Sequence, residues 1–327
     1  MTQIQLELWG NPSNIVLHTQ VEVSNYDHIV IMLSGGKDSI ACFLKIWGEL
    51  KVLGQLEKLE CWHHLVDGQE GSNLMDWACT RAYCQALCDA FNVPLYFSWL
   101  EGGFERELTR DNAPKARTWF ETPDGLQSAG GNGKPNTRRK FPQLSANLSV
   151  RWCSSYLKID VASIALNNQE RFQHRRTLVV TGERAEEGGG RANYLDFEPH
   201  RSHSKTRHID HWRPVHQWKE ADIWKIITEY HINPHPAYRL GLSRTSCQFC
   251  IFNNKDHWSM MNTIDPQRID RLIAYEQEFG VTIHRSLSIE QQIISGTSFK
   301  PALVDVTSAL ANNWNKSIIL SAETVSN

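Results

Sequence analysis

Six residues, Ser34-Gly35-Gly36-Lys37-Asp38-Ser39, follow directly on an apolar run at 29–33. A strand that feeds a Gly-Gly turn and then a helix presents free N–H groups and a positive dipole end, which together hold an anion. Ser34 and Ser39 add hydroxyl donors. The lysine suggests a Walker-type phosphate loop, yet that pattern wants Ser or Thr after the lysine, and Asp38 stands there. A carboxylate repels phosphate unless a divalent cation lies between them, so Asp38 points to Mg²⁺-assisted nucleotide chemistry. The plainer alternative is a polar strand-to-helix turn with Asp38 as a cap. Cys247 and Cys250 form a C-x-x-C, a spacing at which two thiolates can share one metal or cluster. Taken alone, such a pair also reads as half a zinc knuckle or as structural. Asp67 ends an apolar stretch, at the carboxyl edge where open α/β sheets bind ligands, and is a candidate for orienting adenosine or an ordinary strand end. His200, His203, His208 and His211, with Arg201, Lys205 and Arg207, form a cationic stretch that is either a solvated loop or a track for a nucleic-acid backbone.

The elements that must position these residues are legible in the apolar pattern. Strands are expected at 28–33, 59–66, 93–99 and 176–182, and helices at 39–50, 73–91, 154–168 and 219–230. Strands alternating with helices predict an α/β fold, a doubly wound parallel sheet. Two stretches break the pattern, 111–147 (rich in Gly, Pro and Asn, with Arg138-Arg139-Lys140) and 185–211, and both read as long loops. Helices near 254–262, 266–279 and 289–295 make an α-rich C-terminal extension. The expected division is a nucleotide-binding domain at 1–235, a C-x-x-C and helical segment at 236–312, and a frayed tail at 313–327. There is no internal repeat.

Composition narrows the class. The 34 Lys and Arg nearly balance 36 Asp and Glu, so no global field demands a polyanionic partner, although a local basic patch is allowed. No apolar run reaches the ~20 residues that cross a bilayer, and the opening MTQIQLELWG lacks the layout of a secretion signal. The expected location is the cytoplasm, where the eight cysteines stay reduced and serve as core thiols, metal ligands or reactive groups. Cys42, Cys84 and Cys88 fall on apolar helical faces and read as core, while Cys61 and Cys79 carry no motif. The twelve tryptophans offer flat stacking surfaces, though core packing accounts for most of them.

SGGKDS resembles the PP-loop, SGGxDS, of the ATP pyrophosphatase superfamily. RWCSSYLKI (151–159) resembles the Cys-x-x-x-x-Lys block of the phosphoadenosine phosphosulfate (PAPS) reductase family, and TGERAEEGGGRANY (181–194) resembles that family's Gly-x-Arg segment. HPAYRLGLSRTSCQFCIF (235–252) is similar to a block in its prophage and DNA-modification members. These segments stand in family order over about 28–280. The resemblance implies an adenine nucleotide alpha hydrolase-like, Rossmann-like fold and cleavage of ATP between its α and β phosphates. It implies that Ser34, Gly35, Gly36, Lys37 and Ser39 contact ATP or pyrophosphate and that Asp38 holds Mg²⁺, and Asp67, by its place at the sheet edge, joins them as a candidate ATP contact. Lys158 and Arg184 would neutralise phosphate charge, with Arg191 a weaker candidate. It also brings Cys153 toward Cys247 and Cys250. Iron–sulfur relatives commonly supply four cysteines, with a Cys-Cys pair where this chain has Trp152-Cys153. That departure leaves either a [4Fe-4S] cluster with three cysteine ligands or cluster-free thiols that relay a persulfide.

The motif set is closest to the sulfurtransferases of DNA phosphorothioation (Dnd/Ssp) systems of bacterial defence. There ATP adenylates a backbone phosphate oxygen of DNA, and sulfur from a partner cysteine desulfurase replaces it. The expected partners are that desulfurase, DNA and other modification proteins, with a homo-oligomer allowed. One alternative is a PAPS or adenylyl sulfate reductase; the lack of any cysteine after Cys250 counts against its thioredoxin-coupled form. Others are sulfuration of tRNA or another acceptor, and a non-catalytic nucleic-acid-binding protein with structural zinc.

Overall fold

The structure, a computed structural model, describes residues 21–70, 72–245, 247–297 and 299–321. The leader reading of the first ten residues and the end of the tail, 322–327, lie outside the described residues. The chain runs β1 (His28–Met32), α1 (Lys37–Leu53), β2 (Leu59–His64), α2 (Thr80–Ala90), β3 (Leu95–Leu100) and α3 (Gly103–Thr109). A hairpin follows, β4 (Arg117–Thr122) and β5 (Gly125–Gly130). Next comes α4 (Trp152–Ser154), which continues through a π-turn (Ser155–Ile159) into α5 (Asp160–Asn167). Then come β6 (Arg176–Val180), α6 (Gly189–Ala192), β7 (Phe197–Pro199), β8 (His208–Trp212) and α7 (Glu220–Glu229). Four helices follow, α8 (Lys255–Ile264), α9 (Pro266–Phe279), α10 (Ile289–Ser295) and α11 (Leu303–Leu310).

The eight strands of the described residues form one sheet in the order β5-β4-β3-β2-β1-β6-β8-β7. The central strands β3-β2-β1-β6-β8 are parallel, and antiparallel strands β4, β5 and β7 close the edges. Apolar side chains cover both faces. Ile29, Ile31, Leu178 and Val180 pack with residues of α1 and α7, whereas Val30 and Val179 pack with Leu166 of α5 and with Phe172. A parallel strand buried on both sides needs an unbroken apolar run, which is why β1 and β6 stand out in the sequence. A third cluster joins Trp77, Phe104 and Trp152 to Phe249, Trp258 and Leu272, so the C-terminal helices complete a core begun by the sheet domain. Among the described residues no helix is long and apolar enough to cross a membrane.

Five expectations change. The stretch 111–147 contains the β4–β5 hairpin, and 185–211 contains α6, β7 and the start of β8. α2 begins at Thr80 rather than at 73, because the Asp67 carboxylate accepts the backbone N–H groups of Met75 (2.9 Å) and Asp76 (2.8 Å) and holds that segment as a turn. α11 was not anticipated. The first part of the tail is docked: Asn233 donates its N–H to the Ile318 carbonyl (2.8 Å), Leu320 donates to His231 (2.8 Å), and Trp314 meets the Tyr83 ring edge-on.

Asp67 thus shapes a loop, and its removal leaves buried amides unpaired. Asp67→Ala is expected to lower stability by about 2 kcal/mol in urea denaturation. Unchanged stability in that variant would contradict the loop-shaping role.

Candidate functional site

From β1 the chain moves to β2 and β3 on one side, while β6 and β8 lie on the other. β1 and β6 therefore flank the point where strand order reverses, and their carboxyl ends open a crevice of the kind in which open α/β sheets bind ligands. A cavity of 820 Å³ lies there, lined by Ser34, Gly36, Lys37, Asp38 and Ser39 after β1 and by Thr181 to Arg184 after β6. That volume is suited to a nucleotide-sized ligand.

The loop after β1 is internally braced. Gly35 takes φ +77°, a left-handed conformation that favours glycine. The Ser39 hydroxyl accepts the Ser34 N–H (3.1 Å) and donates to the Gly36 carbonyl (2.9 Å). Lys37 is buried: its Nζ donates to the Ser243 carbonyl (2.7 Å) and lies 3.5 Å from Glu220, while its N–H donates to the Tyr238 hydroxyl (2.7 Å). Against this loop lies Gly182, where any Cβ would stand 2.8 Å from the Asp38 carbonyl carbon. Arg184, itself buried, donates from Nε to Asp38 (2.5 Å) and from Nη1 to Glu186 (2.6 Å). Burial works against its charge, but Asp38 and Glu186 more than offset this and hold the guanidinium protonated.

The thiols occupy the same cavity. Cys153, Lys158, Cys247 and Cys250 all line it, together with Asp76 and Arg151. In a regular helix, residues five apart point about 140° away from each other. The π-turn at Ser155–Ile159 follows i→i+5 bonding instead, which brings Lys158 round toward the face of Cys153. The C-x-x-C segment is fixed from the other side: Phe249 donates its N–H to the Met75 carbonyl (3.2 Å). Arg268 ties the same loops, donating to the Asp76 carbonyl (2.7 Å), to Asp265 (2.6 Å) and to the Gln248 side chain. Burial, with Cys250 nearby, pushes the Cys153 thiol up to about 11, against the pull of Lys158. Burial likewise holds Cys247 well above the ordinary thiol range. Burial and the neighbouring Asp67 raise the Asp76 carboxyl to about 7.

The remaining candidates divide. Asp67 does not line the cavity; its carboxylate is spent on Met75 and Asp76. Arg191 lines it, paired with Glu187. His200 and His211 turn inward, their rings 5.7 Å apart, and burial lowers both to about 4, so they are neutral imidazoles rather than cations. Arg201 pairs with Asp160 (3.3 Å) and His208 with Asp210 (3.0 Å). Arg138 pairs with Glu107 (2.6 Å) and Arg139 with Glu278 (2.8 Å), so much of both basic stretches is neutralised. Cys42, Cys61, Cys79, Cys84 and Cys88 are buried. Sequence reasoning missed Asp76, Arg151, Tyr238 and Arg213; Arg151 and Tyr238 fall within quoted blocks without having been singled out there, and nothing local marks Asp76 or Arg213.

Asp38 suits Mg²⁺, a cation that needs only one or two protein carboxylates beside phosphate oxygens. The thiols suit a cluster in chemistry but not in arrangement: among the described residues no three His, Cys, Asp or Glu side chains gather as a metal-binding group.

Residues 133–252 match the model of the phosphoadenosine phosphosulfate reductase domain, which belongs to the PP-loop superfamily. The match takes in Cys153, Lys158, Arg184 and the C-x-x-C. An uncharacterized 37.8 kDa protein in the gpa 5' region of Escherichia phage 186 is 28% identical to this chain over 140 residues. That alignment covers 42% of this chain and 40% of the phage protein.

Because Cys153 is a neutral thiol at pH 7, its alkylation by iodoacetamide should climb steadily from pH 7 toward 11. Lys158→Met should slow it at least about threefold at pH 9, since the ammonium favours the thiolate. A rate already on its plateau at pH 8 would contradict this assignment.

Proposed function

We propose that the protein is an ATP pyrophosphatase and sulfurtransferase that places sulfur on a DNA backbone phosphate. The observation that carries the reading is that the phosphate loop and the three thiols line one cavity. A nucleotide seated on the loop and an acceptor held before the thiols would share that space.

In this reading the N–H groups at the start of α1 and the Ser34 and Ser39 hydroxyls hold the leaving pyrophosphate. Mg²⁺, held by Asp38 and the phosphates, would supply charge neutralisation. Arg184, which spends its Nε on Asp38 here, would turn to the phosphates once that carboxylate is engaged elsewhere. An acceptor oxygen attacks the α-phosphorus, and the α–β bridge breaks to release pyrophosphate. A persulfide sulfur then attacks the acceptor phosphorus and AMP leaves. A second thiol cleaves the resulting S–S bond, which frees the phosphorothioate and leaves a protein disulfide for an external thiol to reduce. More than one cysteine is needed for that sequence, and Cys153, Cys247 and Cys250 supply them. The persulfide would come from a cysteine desulfurase, and the setting would be a cytoplasmic defence system.

The test combines the protein with ATP, Mg²⁺, DNA, a cysteine desulfurase and cysteine, then reads nuclease-resistant phosphorothioate dinucleotides by mass spectrometry. They should form with the wild type and be lost with Asp38→Ala and with Cys153→Ser. Reduction of PAPS to sulfite with no phosphorothioate would overturn the reading in favour of a reductase.

A further inference from the structure

The cations that line the cavity fall into two groups. Lys37, Arg184, Arg191, Arg201, Arg213 and Arg244 each stand within 4.0 Å of a carboxylate. Arg151 and Lys158 do not: among the described residues neither has a carboxylate within that distance or a side-chain hydrogen bond, and the Arg151 Nε is buried without a partner. Both project from the α4–π-turn segment that carries Cys153, and they face thiols, with the Asp76 carboxyl near Lys158 but beyond ion-pair distance.

Arg151 is half-buried, and its buried Nε–H with no acceptor is costly, so a fold keeps one where a ligand supplies the missing acceptor. We infer that Arg151 and Lys158 form an anion subsite, separate from the phosphate loop, that takes a phosphodiester and holds it against the thiol wall. The planar guanidinium can bind two oxygens of a tetrahedral oxyanion, and the ammonium adds a point charge from a second direction. A diester places one negative charge between these two cations and offers them its two free oxygens, whereas a di- or triphosphate matches the donors of the loop better. The inference rests on the reading of the acceptor as a backbone phosphate and gives that acceptor its place.

The test measures protection of Cys153 from iodoacetamide at pH 8.5 by a deoxydinucleoside monophosphate, which has one diester. At ten times its Kd the probe should slow alkylation about tenfold in the wild type and leave Arg151→Gln unprotected, with ATP affinity retained in that variant. Arg151→Lys, which keeps the charge, should be protected in part and serves if Arg151→Gln does not fold. The methylphosphonate form of the same probe, neutral at the linkage, should not protect. Equal protection by the neutral probe, displacement of the diester by inorganic pyrophosphate, or loss of ATP binding in Arg151→Gln would each overturn the subsite. If the diester protects but the wild type binds no ATP, the subsite stands and the adenylation reading falls.

Discussion

The contact between Asp38 and Arg184, at 2.5 Å, joins the loop after β1 to the loop after β6 across the reversal of strand order. It is possible only because Gly182 lets the two backbones touch. From there a circuit closes around the crevice. Arg184 holds Glu186, and Glu186 accepts the N–H of Glu220 (2.9 Å) at the start of α7. Glu220 lies beside Lys37, and Lys37 reaches Ser243 on the approach to the C-x-x-C. An ion pair in this setting adds little net stability once desolvation is counted. What it fixes is register: loops from distant parts of the sequence converge on one site.

That circuit also explains the charge pattern. Around the phosphate loop, cations and carboxylates are already matched, so a polyphosphate must arrive with its own counter-charge or displace an acid from an arginine. The divalent cation that Asp38 suits would do both. Around the thiols the matching stops. Cys153 and Cys247 are kept neutral by burial, Asp76 is half-protonated near neutral pH, and the positive charge of Arg151 and Lys158 remains. Two regions of one cavity thus favour different anions, an arrangement fit for transfer between them.

How much of this was legible depended on how local its cause was. β1 and β6 could be read because a strand buried on both faces must be apolar throughout. β5 could not: its residues, GLQSAG, are nearly all exposed and carry no alternation. β7 has three residues and exists by pairing with β8. The docking of Ile318 and Leu320 depends on His231 and Asn233, far away in sequence. In the site, Ser34 to Ser39 and the C-x-x-C announced themselves by spacing, and the five-residue step from Cys153 to Lys158 makes sense once the helix is known to contain a π-turn. Asp67 was expected at a strand end but lies in a turn three residues past the end of β2, and its carboxylate turns toward amides eight and nine residues on, a direction that no spacing encodes. Asp76 and Arg151 acquire their character from neighbours that only the fold supplies.

The proposed reaction splits ATP between the α and β phosphates in this cavity. This cleavage is tested most directly by identifying the labelled product from ATP carrying ³²P at the γ position, with the wild-type protein, Mg²⁺, acceptor DNA, a cysteine desulfurase, cysteine and a reducing thiol. The label should leave as pyrophosphate, matched by unlabelled AMP in equal amount. Label released as orthophosphate, with ADP as its partner, would contradict it.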